Sequence, residues 1–253
     1  MDNQYHAPAE ILDGIYATQT VESETGAKHP LRDAISPSES AYLTELIEAD
    51  QNVKKVLEVG CAFGISSLSM CKALQTRPNR EHVIIDPLQS ALFDSVGIRN
   101  LNLAGCDFAN FIEEYSEFAL PKLAKERPES FDLIFIDGYH TFDHTLIDLF
   151  YANILLRVGG YIVIDDCKFA SVANAVSYFS KYPGYQFYSE HKANGLKYKA
   201  ASLASIIIPP KIGAYILPHH IHDSIYKRCM FGTMVALKKV ANDDRSWDWF
   251  EVS

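Results

Sequence analysis

Carboxylates and a histidine follow two apolar runs, Leu133–Ile136 and Tyr161–Ile164, each typical of a buried strand. In chain order they are Asp137, His140, Asp165 and Asp166. Since the carboxyl ends of neighbouring parallel strands meet at one edge of a sheet, we expect these side chains to lie close together. Clustered carboxylates repel one another, and a bound cation or a raised pKa relieves that repulsion. Carboxylate oxygens suit Mg²⁺, so the pattern predicts a metal site on Asp137, Asp165 and Asp166.

His140 stands where it could take a proton from a hydroxyl group held at such a site. Imidazole has an ordinary pKa of ~6.5, which allows base chemistry at neutral pH. A cation would lower the pKa of the same hydroxyl and hold it in position. We therefore expect Asp137 and His140 to be catalytic. The alternatives are that His140 only caps the next helix and that the acids bind no metal.

A turn with two glycines follows the apolar run Val56–Val59. Gly60 and Gly64 let the backbone turn sharply and approach a ligand, and the helix that follows offers unpaired N–H groups. A dinucleotide motif needs a middle glycine and a pyrophosphate beside the helix, but Ala62 holds that position and Glu58 precedes the turn. The acid suits a cationic ligand such as the amino group or sulfonium of S-adenosylmethionine.

Asp86 ends the next apolar run, His82–Ile85, where a carboxylate can accept hydrogen bonds from a ribose diol. Glu58, the two glycines and Asp86 come in this order at strand ends, and together they favour a nucleoside cofactor. The alternative for each residue alone is an ordinary turn glycine or a solvated strand end.

These motifs resemble the first two motifs of class I S-adenosylmethionine-dependent methyltransferases, and residues 58–66 are particularly similar to the catechol O-methyltransferase branch. Residues 115–123 resemble that branch's segment after the third strand, which implies that Ser116 meets the adenine. The resemblance as a whole implies these cofactor contacts: Glu58, Gly60, Ala62, Phe63, Gly64, Ser66, Asp86, Ser116 and Asp137.

The acidic cluster is more similar to the metal-dependent enzymes that methylate macrolide sugars, with Asp-x-x-His at 137–140 followed by an acidic pair. The catechol type has lysine in place of His140 and Asp-Asn in place of Asp165-Asp166, so a catechol acceptor is disfavoured. The resemblance implies O-methylation of a small-molecule hydroxyl, assisted by a divalent metal and a histidine base. The alternatives are a metal-independent methyltransferase acting on N, O or C, a catalytically inactive nucleoside-binding protein and, less favoured, a nicotinamide oxidoreductase.

Five apolar runs alternate with helical patterns, which indicates βα units around a mostly parallel sheet. The runs are Val56–Val59, His82–Ile85, Asn110–Ile112, Leu133–Ile136 and Tyr161–Ile164. The resemblance implies a Rossmann-like α/β fold with seven strands and helices on both faces. Apolar stripes predict helices over 142–154 and 172–179, and Ser36 with Glu39 predicts a capping box at the start of an earlier helix.

The C-terminal third is similar to the family in topology alone. Two apolar runs, Leu203–Ile208 and Thr233–Leu237, are candidates for a closing pair of strands. The aromatic residues Trp247, Trp249 and Phe250 are expected to pack against the sheet or another subunit. Loop histidines in this third are open as acceptor contacts, metal ligands or solvated residues; they are His219, His220 and His222. We expect one globular domain, with residues 1–52 as a helical cap or lid and 53–253 as the cofactor-binding part.

Composition limits the partners of this 253-residue chain. A net charge of −9 without a basic run disfavours nucleic acid, and no apolar stretch approaches the ~18 residues of a membrane span. The N-terminus lacks the features of a secretion signal, so a cytoplasmic protein is expected, with a homodimer left open. The five cysteines include no C-x-x-C pair, which disfavours a disulfide framework or a zinc site.

Overall fold

A computed structural model describes residues 5–192 and 231–249. A seven-stranded sheet has the order β5-β4-β3-β6-β7-β9-β8, and a separate two-stranded sheet pairs β1 with β2. The strands are β1 (Thr20–Glu22), β2 (Lys28–Pro30), β3 (Lys55–Val59), β4 (Glu81–Ile85), β5 (Ala109–Ile112), β6 (Phe131–Ile136), β7 (Leu156–Ile164), β8 (Tyr185–His191) and β9 (Met234–Lys239). The predicted Rossmann-like, mostly parallel sheet is confirmed.

Helices cover both faces of the large sheet. They are α1 (Pro8–Thr18), α2 (Pro37–Ala49), α3 (Ile65–Leu74), α4 (Val96–Leu103), α5 (Ser116–Glu126), α6 (Phe142–Leu155) and α7 (Ala170–Phe179). Side chains from α1 to α4 share one apolar core with one face of the sheet, and side chains from α5 to α7 share a second core with the other face. Burial on both faces explains why the parallel strands are continuous apolar runs in the sequence.

The five predicted runs form the parallel part of the sheet, from β5 to β7. Their carboxyl ends therefore lie along one edge, and the loops that leave this edge carry the residues singled out above. A crossover helix after each strand returns the chain to the opposite edge, so residues far apart in sequence meet at the same side of the sheet.

The predicted capping box is present at α2. The Ser36 hydroxyl accepts a hydrogen bond from the Glu39 amide, and the Glu39 carboxylate accepts one from the Ser36 amide at 2.7 Å. Residues of α1 and α2 belong to the same core as β3 and β6, with Leu43 and Ile47 fully buried. The helices α1 and α2 thus pack on the sheet, while the role of residues 1–52 as a cap or lid stays a prediction.

The end of α6 shows how the glycines after it are used. The helix ends at Leu155, one residue beyond the predicted range, and residues 156–160 already belong to β7. Gly159 has a φ of 86°, and the pairing of β6 with β7 shifts register between Phe131 and Leu133. A bulge therefore absorbs the extra residues, and glycine supplies the left-handed conformation that the bulge requires.

The antiparallel end of the sheet differs from the prediction. β9 confirms a strand at the run 233–237, but its outer partner is β8, which the sequence analysis missed. Because β9 pairs with β7 on its other side, neither of its edges is free for a further strand. The run 203–208, the histidines His219, His220 and His222, Cys229 and Phe250 lie outside the described residues.

Near the C-terminus only one of the two tryptophans packs against the protein. Trp249 contacts the Tyr182 ring edge to face with centroids 5.7 Å apart. Trp247 is 98% exposed and does not pack on the sheet, so for this residue only the predicted contact with another subunit stays open. Cys61, Cys71, Cys106 and Cys167 are buried and free. Within the described ranges, no helix has the length and apolar character needed to cross a membrane.

Candidate active site

A cavity of about 880 Å³ lies at the carboxyl edge of the parallel strands. Its wall runs across the sheet from the loop after β5 to the loop after β7 and includes residues from every loop between them. The predicted site residues on this wall are Gly60, Ala62, Phe63, Ser66, Asp86, Ser116, Asp137, His140, Asp165 and Asp166. Most of the residues that the sequence analysis selected therefore meet in one cavity.

Gly60, in the loop after β3, contacts the acidic side of the cavity. Its φ is 89°, and a Cβ atom at this position would lie 1.9 Å from the backbone oxygen of Asp137. The Gly60 amide donates a hydrogen bond to the carbonyl of Ile85 at 2.9 Å. Both the left-handed conformation and the lack of a side chain are required here, because any side chain would push the loops after β3 and β6 apart.

Asp86, which follows β4, stabilises the loop after β3. One carboxylate oxygen accepts hydrogen bonds from the amides of Cys61 at 2.9 Å and Ala62 at 2.8 Å. The other oxygen accepts from the Leu88 amide at 2.8 Å. These bonds explain how Ala62 is held at a φ of 46°, a conformation that costs a non-glycine residue free energy. Asp86 is 4% exposed and borders the cavity.

Glu58 is not on the cavity wall, although it was expected to contact the cofactor. Its side chain is fully buried behind the loop, where its two oxygens accept hydrogen bonds from the hydroxyls of Ser66 at 2.5 Å and Ser67 at 2.6 Å. His82 of β4 lies 3.0 Å away through its Nε2 atom. The carboxylate therefore anchors the start of α3 to the sheet. A strand residue whose side chain points under the following helix cannot face a ligand above the strand end.

Gly64 also lies away from the cavity. It precedes α3 with a φ of 80°, and a Cβ atom there would be 3.0 Å from the backbone of Gly97. Its role is to let α3 and α4 approach each other. Ser116 begins α5 and borders the cavity, and no side-chain cap is formed at that helix start. Ser116 therefore does not act as a helix cap.

His140 lies between two carboxylates. Its Nε2 atom is 3.2 Å from Oδ1 of Asp137 and 3.2 Å from Oδ2 of Asp166, and its ring stacks on Phe169 with centroids 5.5 Å apart. Ligand atoms of Asp137, His140 and Asp166 all lie within 4.8 Å of one another. Lys168 reaches the other oxygen of Asp166 at 2.6 Å. Loops after two neighbouring strands thus form one cluster of opposite charges.

Asp165 does not join this cluster, contrary to the predicted ligand set. One of its oxygens accepts a hydrogen bond from the Asp166 amide at 2.6 Å, and its side chain is buried against the cavity. The chain turns at Asp166, whose φ is 54°, so the two neighbouring carboxylates diverge. Within the part of the chain that the structure describes, His140 takes the place expected for Asp165.

Burial and charge shift the pKa values in this cluster. Burial raises the pKa of Asp137 to about 6, and the charge of Asp166 adds to this, while the hydrogen bond with His140 works in the opposite direction. The hydrogen bond to Asp137 raises the pKa of His140. Burial also raises the pKa of Asp165 well above its ordinary value, together with the charges of Asp137 and Asp166. The pKa of Asp137 therefore lies much closer to neutral pH than that of an ordinary aspartate.

A family model described as a methyltransferase domain matches residues 57–167. The match begins in β3 and ends just after β7, so it contains both the glycine loop and the acidic cluster. This part of the chain is similar to a methyltransferase domain. The resemblance to class I methyltransferases that the motifs indicated is confirmed, and it extends over the strands that build the cavity.

Solved structures share the fold of this protein. Cofactor-bound Rv0187 from MTB is 17% identical, with 93% of this chain and 90% of that chain covered and a TM-score of 0.61. The O-methyltransferase TomG from Streptomyces achromogenes, in complex with SAM, is 16% identical, with 93% and 90% covered and a TM-score of 0.61. An O-methyltransferase from Bacillus cereus, in complex with SAH, is 18% identical, with 72% and 81% covered and a TM-score of 0.56. At these identities the likeness shows the fold alone.

The cavity also includes residues that were not predicted from the sequence. Glu39 was assigned to the capping box of α2 and nevertheless borders the cavity, as do residues 33–35 before that helix. Lys168 and Phe169 follow the acidic pair and flank His140. His144, which was expected at the surface, is half-buried on the wall. Among these residues, only Lys168 could have been predicted from the sequence, because it is a cation two positions after Asp166.

Proposed function

We propose that this protein transfers a methyl group from S-adenosylmethionine to a hydroxyl oxygen of a small molecule. One observation carries the proposal: in the cavity that begins at the glycine loop, His140 lies 3.2 Å from both Asp137 and Asp166. A base oriented by two carboxylates is the part that O-methylation needs beyond alignment of the reactants. The methyltransferase domain and the SAM and SAH in solved structures of the same fold support this cofactor.

S-adenosylmethionine supplies a methyl group activated on a sulfonium sulfur. The residues present fit it, since the small residues Gly60 and Ala62 border the cavity and Asp86 borders it with its carboxylate. In this proposal Gly60, Ala62, Phe63 and Ser66 line the methionine part, while Asp86 accepts hydrogen bonds from the ribose. Asp137 faces the charged end of the cofactor, and Ser116 meets the adenine. Glu58 and Gly64 act indirectly, by fixing the loop and α3.

A divalent cation, with Mg²⁺ as the first choice, belongs to the proposal. The donor set fits it, because oxygens of Asp137 and Asp166 lie within 4.8 Å of each other and Mg²⁺ in proteins commonly uses one or two carboxylates with water. Asp137 and Asp166 would hold the ion, and Asp165 would add negative charge nearby. When bound, the ion would lower the pKa of the acceptor hydroxyl.

His140 takes the proton in the proposed reaction. The acceptor oxygen bonds to the methyl carbon as the carbon–sulfur bond breaks, which leaves S-adenosylhomocysteine, and the hydroxyl proton passes to the imidazole. Because Nε2 faces Asp137 and Asp166, these carboxylates favour the tautomer with the proton on Nε2 and leave Nδ1 free to accept. They also stabilise the imidazolium that forms. Phe169 holds the ring by stacking.

A metal-independent methyltransferase is the second candidate, and the contacts of Asp166 favour it. Lys168 is 2.6 Å from one oxygen and His140 is 3.2 Å from the other, so a cation and a hydrogen-bond donor already satisfy this carboxylate. In that case the imidazole and its two carboxylates activate the hydroxyl without an ion.

Calorimetry of the purified protein tests the proposal directly. S-adenosylmethionine and S-adenosylhomocysteine should bind, and NAD should not. A titration with Mg²⁺ should show a site that the variant Asp166→Asn lacks, with Asp107→Asn as the control at an exposed acid. Asp86→Ala should weaken S-adenosylhomocysteine by about 1.5 to 3 kcal/mol, the range for hydrogen bonds to a charged group.

The outcomes separate the candidates. Failure to bind either adenosyl compound refutes the cofactor assignment, and preferential binding of NAD would return the protein to the oxidoreductases. Cofactor binding with no Mg²⁺ site leaves the metal-independent enzyme. Cofactor binding without methyl transfer to a panel of sugars, phenols and other hydroxylated metabolites supports an inactive nucleoside-binding protein.

A further inference from the structure

Asp148 is a buried carboxylate that the proposed reaction does not use. It lies on α6 and is 1% exposed, and within the described residues neither of its oxygens has a hydrogen-bond partner of acceptable geometry. Four of its neighbours lie on the cavity wall. A Cβ atom on Gly138 would be 3.4 Å from its Oδ2, and the Ser116 hydroxyl and His144 lower its pKa while Glu117 raises it.

An unpartnered buried carboxylate is costly, and native structures keep such groups rarely. Burial raises the pKa of Asp148 to about 7, so the group holds a proton more readily than an ordinary aspartate. The hydroxyl of Ser116 is the neighbouring group that can donate a hydrogen bond to it and also face the cavity. Asp148 therefore lies one layer behind a ligand-facing residue.

The order of the strands indicates which part of a nucleoside ligand lies at Ser116. Along the carboxyl edge, Ser116 follows β5, Asp86 follows β4, Gly60 follows β3, Asp137 follows β6 and Asp166 follows β7. A ligand with its reactive end at Asp137 and its ribose at Asp86 must extend its base towards the β5 end. Ser116 and the Asp148 carboxylate behind it lie at that end.

We propose that Asp148 is a positioning residue for base recognition, which accepts the hydroxyl hydrogen of Ser116 so that the Ser116 oxygen can only accept from the ligand. A serine hydroxyl has one hydrogen to donate, so its direction fixes the polarity that the residue presents to the cavity. An accepting Ser116 suits the exocyclic amino group of adenine and opposes a keto oxygen at the same position. This inference rests on the proposed use of S-adenosylmethionine.

Paired affinities for S-adenosylhomocysteine and S-inosylhomocysteine test the polarity, since the second compound has a keto oxygen in place of the amino group. The parent protein should prefer S-adenosylhomocysteine by about tenfold or more, the effect of one well-placed hydrogen bond. Asp148→Asn should lose most of that preference, because an amide can donate to Ser116 and turn its hydroxyl towards the ligand. Ser116→Ala should lose it as well, and the double variant should add nothing further.

Proton release gives a second readout that a purely structural role for Asp148 would not change. The Ser116 hydroxyl already lowers the pKa of Asp148, and a better aligned hydrogen bond in the complex should lower it further, so binding near pH 7 should release protons. Calorimetry in buffers of different ionisation enthalpy measures that release. Asp137, Asp165 and His140 titrate in the same cavity, so the informative quantity is the difference between the parent and Asp148→Asn. His144 and Glu117, which face Asp148, are unchanged in that comparison.

Different results would overturn the role of Asp148 and the cofactor assignment. If the parent binds S-adenosylhomocysteine but Asp148→Asn and Ser116→Ala keep the full base preference and proton release, the role of Asp148 is overturned and the cofactor assignment stands. If the parent binds neither compound, both are overturned. If Asp148→Asn does not fold, Ser116→Ala decides alone, because it removes the hydroxyl through which Asp148 is proposed to act.

Discussion

At the scale of single residues, the function of this cavity depends on which charges face each other. His140 has a carboxylate on both sides and an aromatic ring beneath it, an arrangement that holds the imidazole plane and favours one tautomer. Asp148, by contrast, is buried with no hydrogen-bond partner of good geometry within the described residues. In the proposed reaction His140 is positioned to gain a proton. Asp148 is positioned to accept a hydrogen bond from a neighbouring hydroxyl.

His140→Ala should reduce methyl transfer by about 10² to 10⁴, the usual contribution of a positioned base. Affinity for S-adenosylhomocysteine should change little, because the imidazole acts on the acceptor. In the parent the rate should also fall on acidification, as the imidazole becomes protonated. Single-turnover assays across pH measure both effects, with His6→Ala as a control at an exposed histidine. A folded His140→Ala protein that reacts at the parent rate would falsify the base assignment.

Asp148 should make the protein less stable at higher pH. Its pKa is about 7 in the folded protein and ~3.9 in an unfolded chain, so the folded state binds the proton more tightly. The resulting stabilisation is complete below pH ~4 and is lost as pH rises through about 7, for a total of at most about 4 kcal/mol.

Urea unfolding at several pH values measures this effect as a difference between the parent and Asp148→Asn. The variant should be the more stable protein at pH 8, because its amide has no charge to desolvate. Identical pH profiles for the two proteins would show that the carboxylate is not buried as the structure has it.

At the scale of elements, the loops after β3 and β6 touch through a glycine, and this contact joins the cofactor side of the cavity to the acidic side. The Asp86 carboxylate and the buried Glu58 hold the first loop from two directions. Several neighbouring groups thus fix the conformation of this loop, as a preorganised binding site requires. Added side-chain volume within this loop should therefore disturb its conformation, whereas substitutions elsewhere should not.

Gly60→Ala should abolish cofactor binding and destabilise the protein by several kcal/mol or prevent folding. The new methyl group would lie 1.9 Å from the Asp137 oxygen at a backbone φ of 89°, which combines a steric clash with left-handed strain. The matched control is Gly14→Ala in α1, where nothing lies within 4 Å of the added atom. That change should stabilise the protein by about 0.5 to 1 kcal/mol. Thermal unfolding and binding of S-adenosylhomocysteine check both, and equal effects of the two substitutions would contradict the role given to Gly60.

At the scale of the whole molecule, the sheet brings charges from distant parts of the chain to one opening. The cavity wall takes acids from the loops after β4, β6 and β7 and from the region of α2, in a protein whose net charge is −9. Cations should therefore be attracted to this opening, and polyanions repelled. Binding of an ion to the folded state alone would stabilise the entire fold by mass action.

Mg²⁺ should raise the melting temperature if the cation site exists. At a concentration of 100 times the Kd the stabilisation is about 2.7 kcal/mol, and each kcal/mol corresponds to roughly 2 to 4 °C for a protein of this size. Asp166→Asn should remove the shift, and Asp107→Asn should retain it. Differential scanning calorimetry with Mg²⁺ and with a chelator measures this, and a shift that survives in Asp166→Asn would place the ion elsewhere.

The sequence by itself determined the parallel strands, the capping box at Ser36 and the loops that would meet at one edge, because these follow from short-range periodicity, turn chemistry and strand order. It did not determine where side chains beyond the strands point. Only the tertiary structure decided that Glu58 lies beneath Ser66, that His140 rather than Asp165 joins Asp137 and Asp166, and that β8 completes the sheet. Those outcomes depend on packing between residues distant along the chain, which no local pattern records. The buried Asp148 is the plainest case, because its position in the apolar stripe region of α6 gives no sign that Ser116 and Gly138 lie against it.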